Sequence, residues 1–154
     1  MRDLIHRFKY DHAVYLKKAL SLLMQRGAEQ FILNGAVNLI VPVPLHRSRL
    51  RQRGFNQASL LAGHLARHGS IPMTPDILIR TRPTIPQVEL SAEERKTNVN
   101  GAFAVKRAAD IQGKSILLLD DVMTTGSTMN ECAKMLKKSG ATRVVALAIA
   151  RTPH

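Results

Sequence analysis

The sequence predicts an α/β protein, with an open, mainly parallel sheet flanked by helices, on three observations. Short apolar runs alternate with stretches of helical spacing along the chain, the pattern of strands linked through helices. The run Ile116, Leu117, Leu118, Leu119 is continuous and apolar, as a strand buried on both faces requires. With 154 residues and 45% hydrophobic content, the chain is sized for one core, so a single domain over residues 1–154 is expected.

Taken in order, His12 to Gln25 places Ala13, Val14, Leu16, Ala19, Leu20 and Leu23 at helical spacing opposite Lys17 and Lys18, which predicts a first amphipathic helix. Val37 to Val43 reads as a strand, and Pro42 and Pro44 mark where it must end or lie unpaired. The basic stretch His46 to Arg53 then reads as a loop or a helix start. Asn56 to His68 is a second helix, with Leu60, Leu61 and Leu65 inward, Asn56 as its cap and Gly69 as its stop. Ile77 to Ile79 is a short strand. Thr81 to Asn100, polar and broken by Pro83 and Pro86, predicts a long loop. Ala102 to Val105, Ile116 to Leu119 and Val144 to Ile149 are the remaining strands, with a helix over Met129 to Lys138.

No apolar run approaches the ~20 residues of a membrane span, and the start, MRDLIHRFKYDH, carries no apolar secretory region. A cytoplasmic protein is expected. The single Cys132 allows no internal disulfide and, on the helix after TTGST, reads as a small buried hydrophobe. Twenty-three Lys and Arg against eleven Asp and Glu give a net charge of +12, which implies an anionic partner. Charge alone does not separate pyrophosphate from nucleic acid. Aromatic content is only 4% with no Trp, so contact with a phosphate backbone is favoured over base stacking.

The chemistry is densest over Ile116 to Thr128, ILLLDDVMTTGST. Asp120 and Asp121 follow the apolar run at the carboxyl end of a strand, where open α/β sheets bind ligands. Two adjacent carboxylates there can accept hydrogen bonds from vicinal hydroxyls, the pattern of a ribose. Thr124, Thr125, Gly126, Ser127 and Thr128 supply hydroxyls and backbone amides just before a helix, which suits a phosphate. Together they make a cradle for a ribose 5-phosphate. A P-loop is excluded, because Gly113, Lys114 and Ser115 precede a strand and Ala108 stands where the first glycine is needed.

Arg47, Arg49, Arg51 and Arg53 follow the proline-ended strand, so they lie at the carboxyl edge of the sheet and can clamp phosphates. In Arg51 to Gln57, RQRGFNQ, Gly54 allows a tight turn and Phe55 can anchor it. His64 and His68 are four apart on a helix, but no third ligand accompanies them, so surface histidines are expected and no protein metal site is assigned.

The segment ILLLDDVMTTGST resembles the phosphoribosyl pyrophosphate (PRPP) motif of the type I phosphoribosyltransferases. Joined to VPVPLHRSRLRQRGFNQ upstream and RTRPTIPQVELSAEERKTNVNGAF between them, it resembles the ComF family, including its ComFC and GntX types, from about Ile5 to Arg151. That family is associated with natural competence and DNA utilisation. The resemblance implies a type I phosphoribosyltransferase-like fold with a long mobile loop over Arg82 to Asn100. It also implies ribose contacts from Asp120 and Asp121, 5-phosphate contacts from Thr124 to Thr128, and a pyrophosphate loop including Leu45, His46 and Arg47. Arg53, with the other first-loop arginines, and Arg95 of the mobile loop are the catalytic candidates for neutralising pyrophosphate. Mg²⁺ is expected as a cofactor carried mainly by PRPP oxygens and waters. Family members commonly begin with a zinc-ribbon-like region of paired cysteines, and this sequence carries none.

Two functional expectations follow. One is transfer of ribose 5-phosphate from PRPP to an acceptor the sequence does not name, with release of pyrophosphate. The other is a non-catalytic PRPP sensor or a competence protein that binds single-stranded DNA through Arg47, Arg49, Arg51 and Arg53. Competence-machinery proteins are the implied macromolecular partners.

Overall fold

A computed structural model describes residues 16–85 and 91–151. His12 to Tyr15 of the first expected helix, and Pro86 to Leu90 of the expected loop, lie outside the described residues.

The fold is built on three parallel strands, β1 (Leu39–Pro42), β4 (Ser115–Met123) and β5 (Arg143–Arg151), in the order β1-β4-β5. β4 is central because its sequence allows nothing else. Ile116 to Leu119 are 0% exposed, and full burial of each such side chain contributes ~1.5–3 kcal/mol. Ile116 and Leu118 face one core and Leu117 and Leu119 the other, the alternation a strand imposes.

Helices α1 (Lys17–Leu33) and α3 (Gln57–Gly69) cover the second face, through Leu20, Met24 and Ala28 on α1 and Leu61, Ala62 and Leu65 on α3. The first helix therefore runs well past the expected end at Gln25. Ala28, Phe31 and Ile32 continue the apolar face past Gly27, whose missing Cβ gives room to Leu147. Gly69 is the last helical residue of α3 rather than its stop, and Ser70 takes the left-handed cap with φ 50°. A Cβ at Gly69 would stand 2.7 Å from Ile32 Cγ2, so this glycine serves the approach of α3 to α1.

β1 is shorter than the expected Val37 to Val43, yet it includes Pro42, which pairs in register with Leu119. Val43 N donates to Leu119 O and Ile40 N to Pro72 O, so by alternation the missing N–H of Pro42 faces the side of residues 72–74. That segment hydrogen-bonds to β1 at Ile40.

The first face is covered by α5 (Ser127–Lys138) and by a two-stranded antiparallel sheet, β2 (Leu78–Arg80) with β3 (Phe103–Val105). Neither short strand was expected in a second sheet. Three-residue runs carry no pairing direction, and the antiparallel register Leu78↔Val105 places them in a separate hood.

The hood extends into an arm. Thr81 N donates to Ala102 O, Arg82 Nη2 to Asn100 O, and Asn98 makes reciprocal bonds to the backbone of Ile85. The expected loop Thr81 to Asn100 thus contains a helix, α4 (Ala92–Val99), started by a capping box of Ser91 and Glu94. Glu131 of α5 accepts from Gly101 N at 2.9 Å and fixes the base of the arm.

Candidate functional site

β4 does not stop at Leu119. It continues through Asp120 and Asp121 to Met123, so the acid pair lies within the strand rather than after it. The alternation of faces shifts at this point. Val122 packs with the second core and Met123 with the first, the reverse of what strict alternation from Leu118 gives. Asp121 N donates to Asp120 Oδ1 at 2.9 Å, and Asp121 is 5% exposed while Asp120 is half-buried. This local irregularity releases two consecutive carboxylates from the rule that neighbours point to opposite faces.

Thr124 to Gly126 turn the chain into α5. Gly126 holds φ 82°, the left-handed region that glycine enters at least cost. Thr125 Oγ1 and Ser127 Oγ are 2.8 Å apart, and Ser127 N donates weakly to Thr125 Oγ1 at 3.4 Å. The first turn of α5 carries no acidic residue. Its amides, with no intrahelical acceptors, and the helix dipole both favour an anion there.

The loop after β1 comes to the same edge. Val43 and Pro44 are buried, Leu45 is half-buried, and His46 caps α2 (Arg47–Arg53) by accepting from Ser48 N. The basic stretch is thus a helix, closed by Gly54 at φ 78°. Arg47 and Arg51 are exposed on it, while Arg49 and Arg53 are half-buried. Arg53 Nη1 donates to Oε1 of Gln57, a residue 1% exposed, at 3.4 Å. Asn56 caps α3 by accepting from Ala58 N and also donates to Val43 O, each at 3.0 Å.

Arg95 is half-buried on α4. His64 Nε2 lies 3.2 Å from Gln25 Oε1 and ties α3 to α1, while His68 is exposed. Cys132 is fully buried, and burial first, then the charge of Asp120, pushes its thiol well above the usual range. It is the small buried hydrophobe its place on α5 suggested.

Arg80 is not among the expected site residues, and the structure gives it a larger place. It ends β2 directly opposite Phe103, with its guanidinium 5.3 Å from that ring centroid. It hydrogen-bonds Thr84 Oγ1. Burial first, then Arg49, disfavours its charge, whereas Asp120 favours it. No periodicity reports this position, because the β2–β3 register sets it.

Strand-end acids, an anion-favouring turn into a helix and an antiparallel hood above a parallel sheet define the phosphoribosyltransferase class of fold. The chain belongs to the phosphoribosyl transferase domain family, whose model matches residues 55–154, and within it to the ComF group. It is 36% identical over 152 residues to Competence protein F of Haemophilus influenzae, covering 96% of this chain and 66% of that protein. It is also 36% identical over 155 residues to the DNA utilization protein YhgH of Escherichia coli K12, covering 99% of this chain and 67% of that protein. The chain thus spans about two thirds of the length of these curated relatives. Among solved structures, adenine phosphoribosyltransferase of Saccharomyces cerevisiae matches with a TM-score of 0.58 at 13% identity, over 89% of this chain and 69% of that one. The glutamine PRPP amidotransferase of B. subtilis matches with a TM-score of 0.56 at 21% identity, over 86% of this chain and 25% of that one. Both likenesses concern the fold. Among the described residues no helix is long and apolar enough to cross a membrane.

Proposed function

We propose that this chain binds PRPP together with Mg²⁺ at the carboxyl end of β4, and that it serves in DNA uptake or utilisation. The observation that carries the reading is the run of Asp120 and Asp121 through a left-handed Gly126 into the start of α5. In it, carboxylates suited to vicinal hydroxyls stand one turn from amides suited to a phosphate. The names of the relatives, Competence protein F and DNA utilization protein YhgH, support the biological setting.

In this assignment Asp120 and Asp121 hold the ribose hydroxyls, and Thr124, Thr125, Gly126, Ser127 and Thr128 receive the 5-phosphate. Leu45, His46 and Arg47 approach the pyrophosphate. Among the described residues no three or more His, Cys, Asp or Glu side chains gather as a metal cage. The oxygen donors of the acid pair suit Mg²⁺ that arrives on the ligand's phosphates, and the ion would neutralise charge there. Arg53, held by Gln57, and Arg95 of α4 supply positive charge as pyrophosphate departs and the sugar becomes cationic. The attacking acceptor then bonds to the ribose carbon that pyrophosphate leaves.

A second reading is favoured by the exposed Arg47 and Arg51 on α2. These guanidiniums and the net charge of +12 suit the phosphate backbone of single-stranded DNA, with the PRPP site acting as a sensor. Equilibrium dialysis with labelled PRPP and Mg²⁺, followed by a screen of nucleobase acceptors for pyrophosphate release, separates the two. Saturable binding with acceptor-dependent release supports the transferase. Saturable binding without release supports the sensor, and no PRPP binding overturns the proposal.

A further inference from the structure

The anchor of the arm is the feature the assignment above leaves unused. Thr84 is held by two guanidiniums from different parts of the fold. Arg49 of α2 donates from Nη2 to its carbonyl oxygen at 3.3 Å, across 35 residues of sequence, and Arg80 of β2 hydrogen-bonds its hydroxyl. Among the described residues neither arginine forms an ion pair with a carboxylate within contact distance. Arg80 Nε is buried without a hydrogen-bond partner. Two like charges therefore converge on a residue that offers only neutral oxygens. Phe103 beneath the Arg80 guanidinium fixes its direction.

Charge-assisted bonds from a guanidinium to an anionic oxygen are roughly twice as strong as bonds to neutral acceptors. A phosphate oxygen is therefore a better partner for this pair than Thr84. Arg49 lies on α2 just past Arg47, at the carboxyl edge of the sheet where the pyrophosphate loop stands, so the pair borders the proposed ligand site. We propose that Arg49 and Arg80 form an anion subsite for the diphosphate end of the ligand, and that Thr84 occupies it as an internal stand-in displaced when that ligand arrives. This rests on the PRPP reading above. It adds Arg80 to the site and makes the arm's hold on α2 depend on the ligand. Displacement reaches the rest of the arm through Ile85, which is bonded to Asn98 at the end of α4.

The test is calorimetric titration of the full chain and its variants with inorganic pyrophosphate and Mg²⁺, and in parallel with PRPP and Mg²⁺. Thr84→Val removes the competing hydroxyl and should tighten pyrophosphate binding severalfold, a gain that loss of structure cannot mimic. Arg80→Lys keeps the charge without the planar fork and should weaken it, and Arg80→Met should weaken it by about tenfold or more. If Thr84→Val binds pyrophosphate no more tightly than the parent while PRPP binding persists, the stand-in is wrong and the PRPP site stands. Unchanged affinity in Arg80→Met also overturns the subsite. A parent that binds neither ligand overturns both this proposal and the reading it rests on.

Discussion

Asn56 Nδ2 donates to the carbonyl of Val43 at 3.0 Å, so the residue that caps α3 also holds the loop leaving β1. One side chain thereby joins helix initiation to the placement of Leu45, His46 and Arg47. Replacing Asn56 with Ala should cost ~1 kcal/mol or more through the lost cap. Asn56→Asp keeps the acceptor for Ala58 N but loses the donor. It should retain more stability than Asn56→Ala while weakening PRPP binding severalfold. Urea unfolding and PRPP titration of the two variants check this, and parent-like affinity in both would detach the tether from function.

Gly126→Ala tests the turn. The nearest atom to an added Cβ is Met123 Sδ at 3.5 Å, an ordinary contact, so the cost is conformational. Holding an L-residue at φ 82° costs ~1–2 kcal/mol. Stability should fall by that amount and PRPP affinity by about tenfold. Gly113→Ala, also at positive φ but before β4, should lose comparable stability with PRPP affinity unchanged. Equal losses of affinity in the two variants would remove the turn from the site.

The start of α4 should be sensitive to acid. Hydrogen bonds from the Ser91 side chain and backbone hold the Glu94 carboxyl below its ordinary range. A carboxylate lowered in the folded state stabilises above its unfolded pKa, and that contribution disappears as pH falls through the folded value. Carbon chemical shifts along α4 should therefore move toward coil on the acid side of the ordinary glutamate range. Ser91→Ala should loosen the helix by a factor of ~5 near neutrality. An α4 that keeps its shifts in acid would show that packing on α5, not the capping box, holds it.

Single-stranded DNA should bind through phosphates and without sequence preference. Arg47 and Arg51 are exposed on α2 and the chain has few aromatics, so log affinity should fall linearly with log salt. Each phosphate contact contributes a slope of about −0.7. Arg47→Ala with Arg51→Ala should reduce both affinity and slope in a filter-binding series. A flat salt dependence in the parent would remove DNA from this surface.

The parts of the fold that were legible are those where local chemistry and burial agree. Ile116 to Leu119 read as a central strand because nothing but double-faced burial suits four consecutive aliphatic residues. Asn56 read as a cap because its side chain acts within two residues. α4 was missed although SAEE holds the capping-box signal, since the surrounding residues have no apolar periodicity to extend it. Gly69 read as a stop because its contact with Ile32 is tertiary. Arg80 is illegible in the sequence for the same reason. Its place over Phe103 comes from strand register, a pairing distant in sequence.

The central claim is that the acid pair of β4 holds a ribose. Calorimetric titration of PRPP with Mg²⁺ into the parent and into the Asp120→Asn, Asp121→Asn double variant tests it most directly, with thermal unfolding confirming that the variant is folded. The account predicts saturable one-to-one binding in the parent and its loss in the folded variant. Binding of equal strength in both proteins would contradict it.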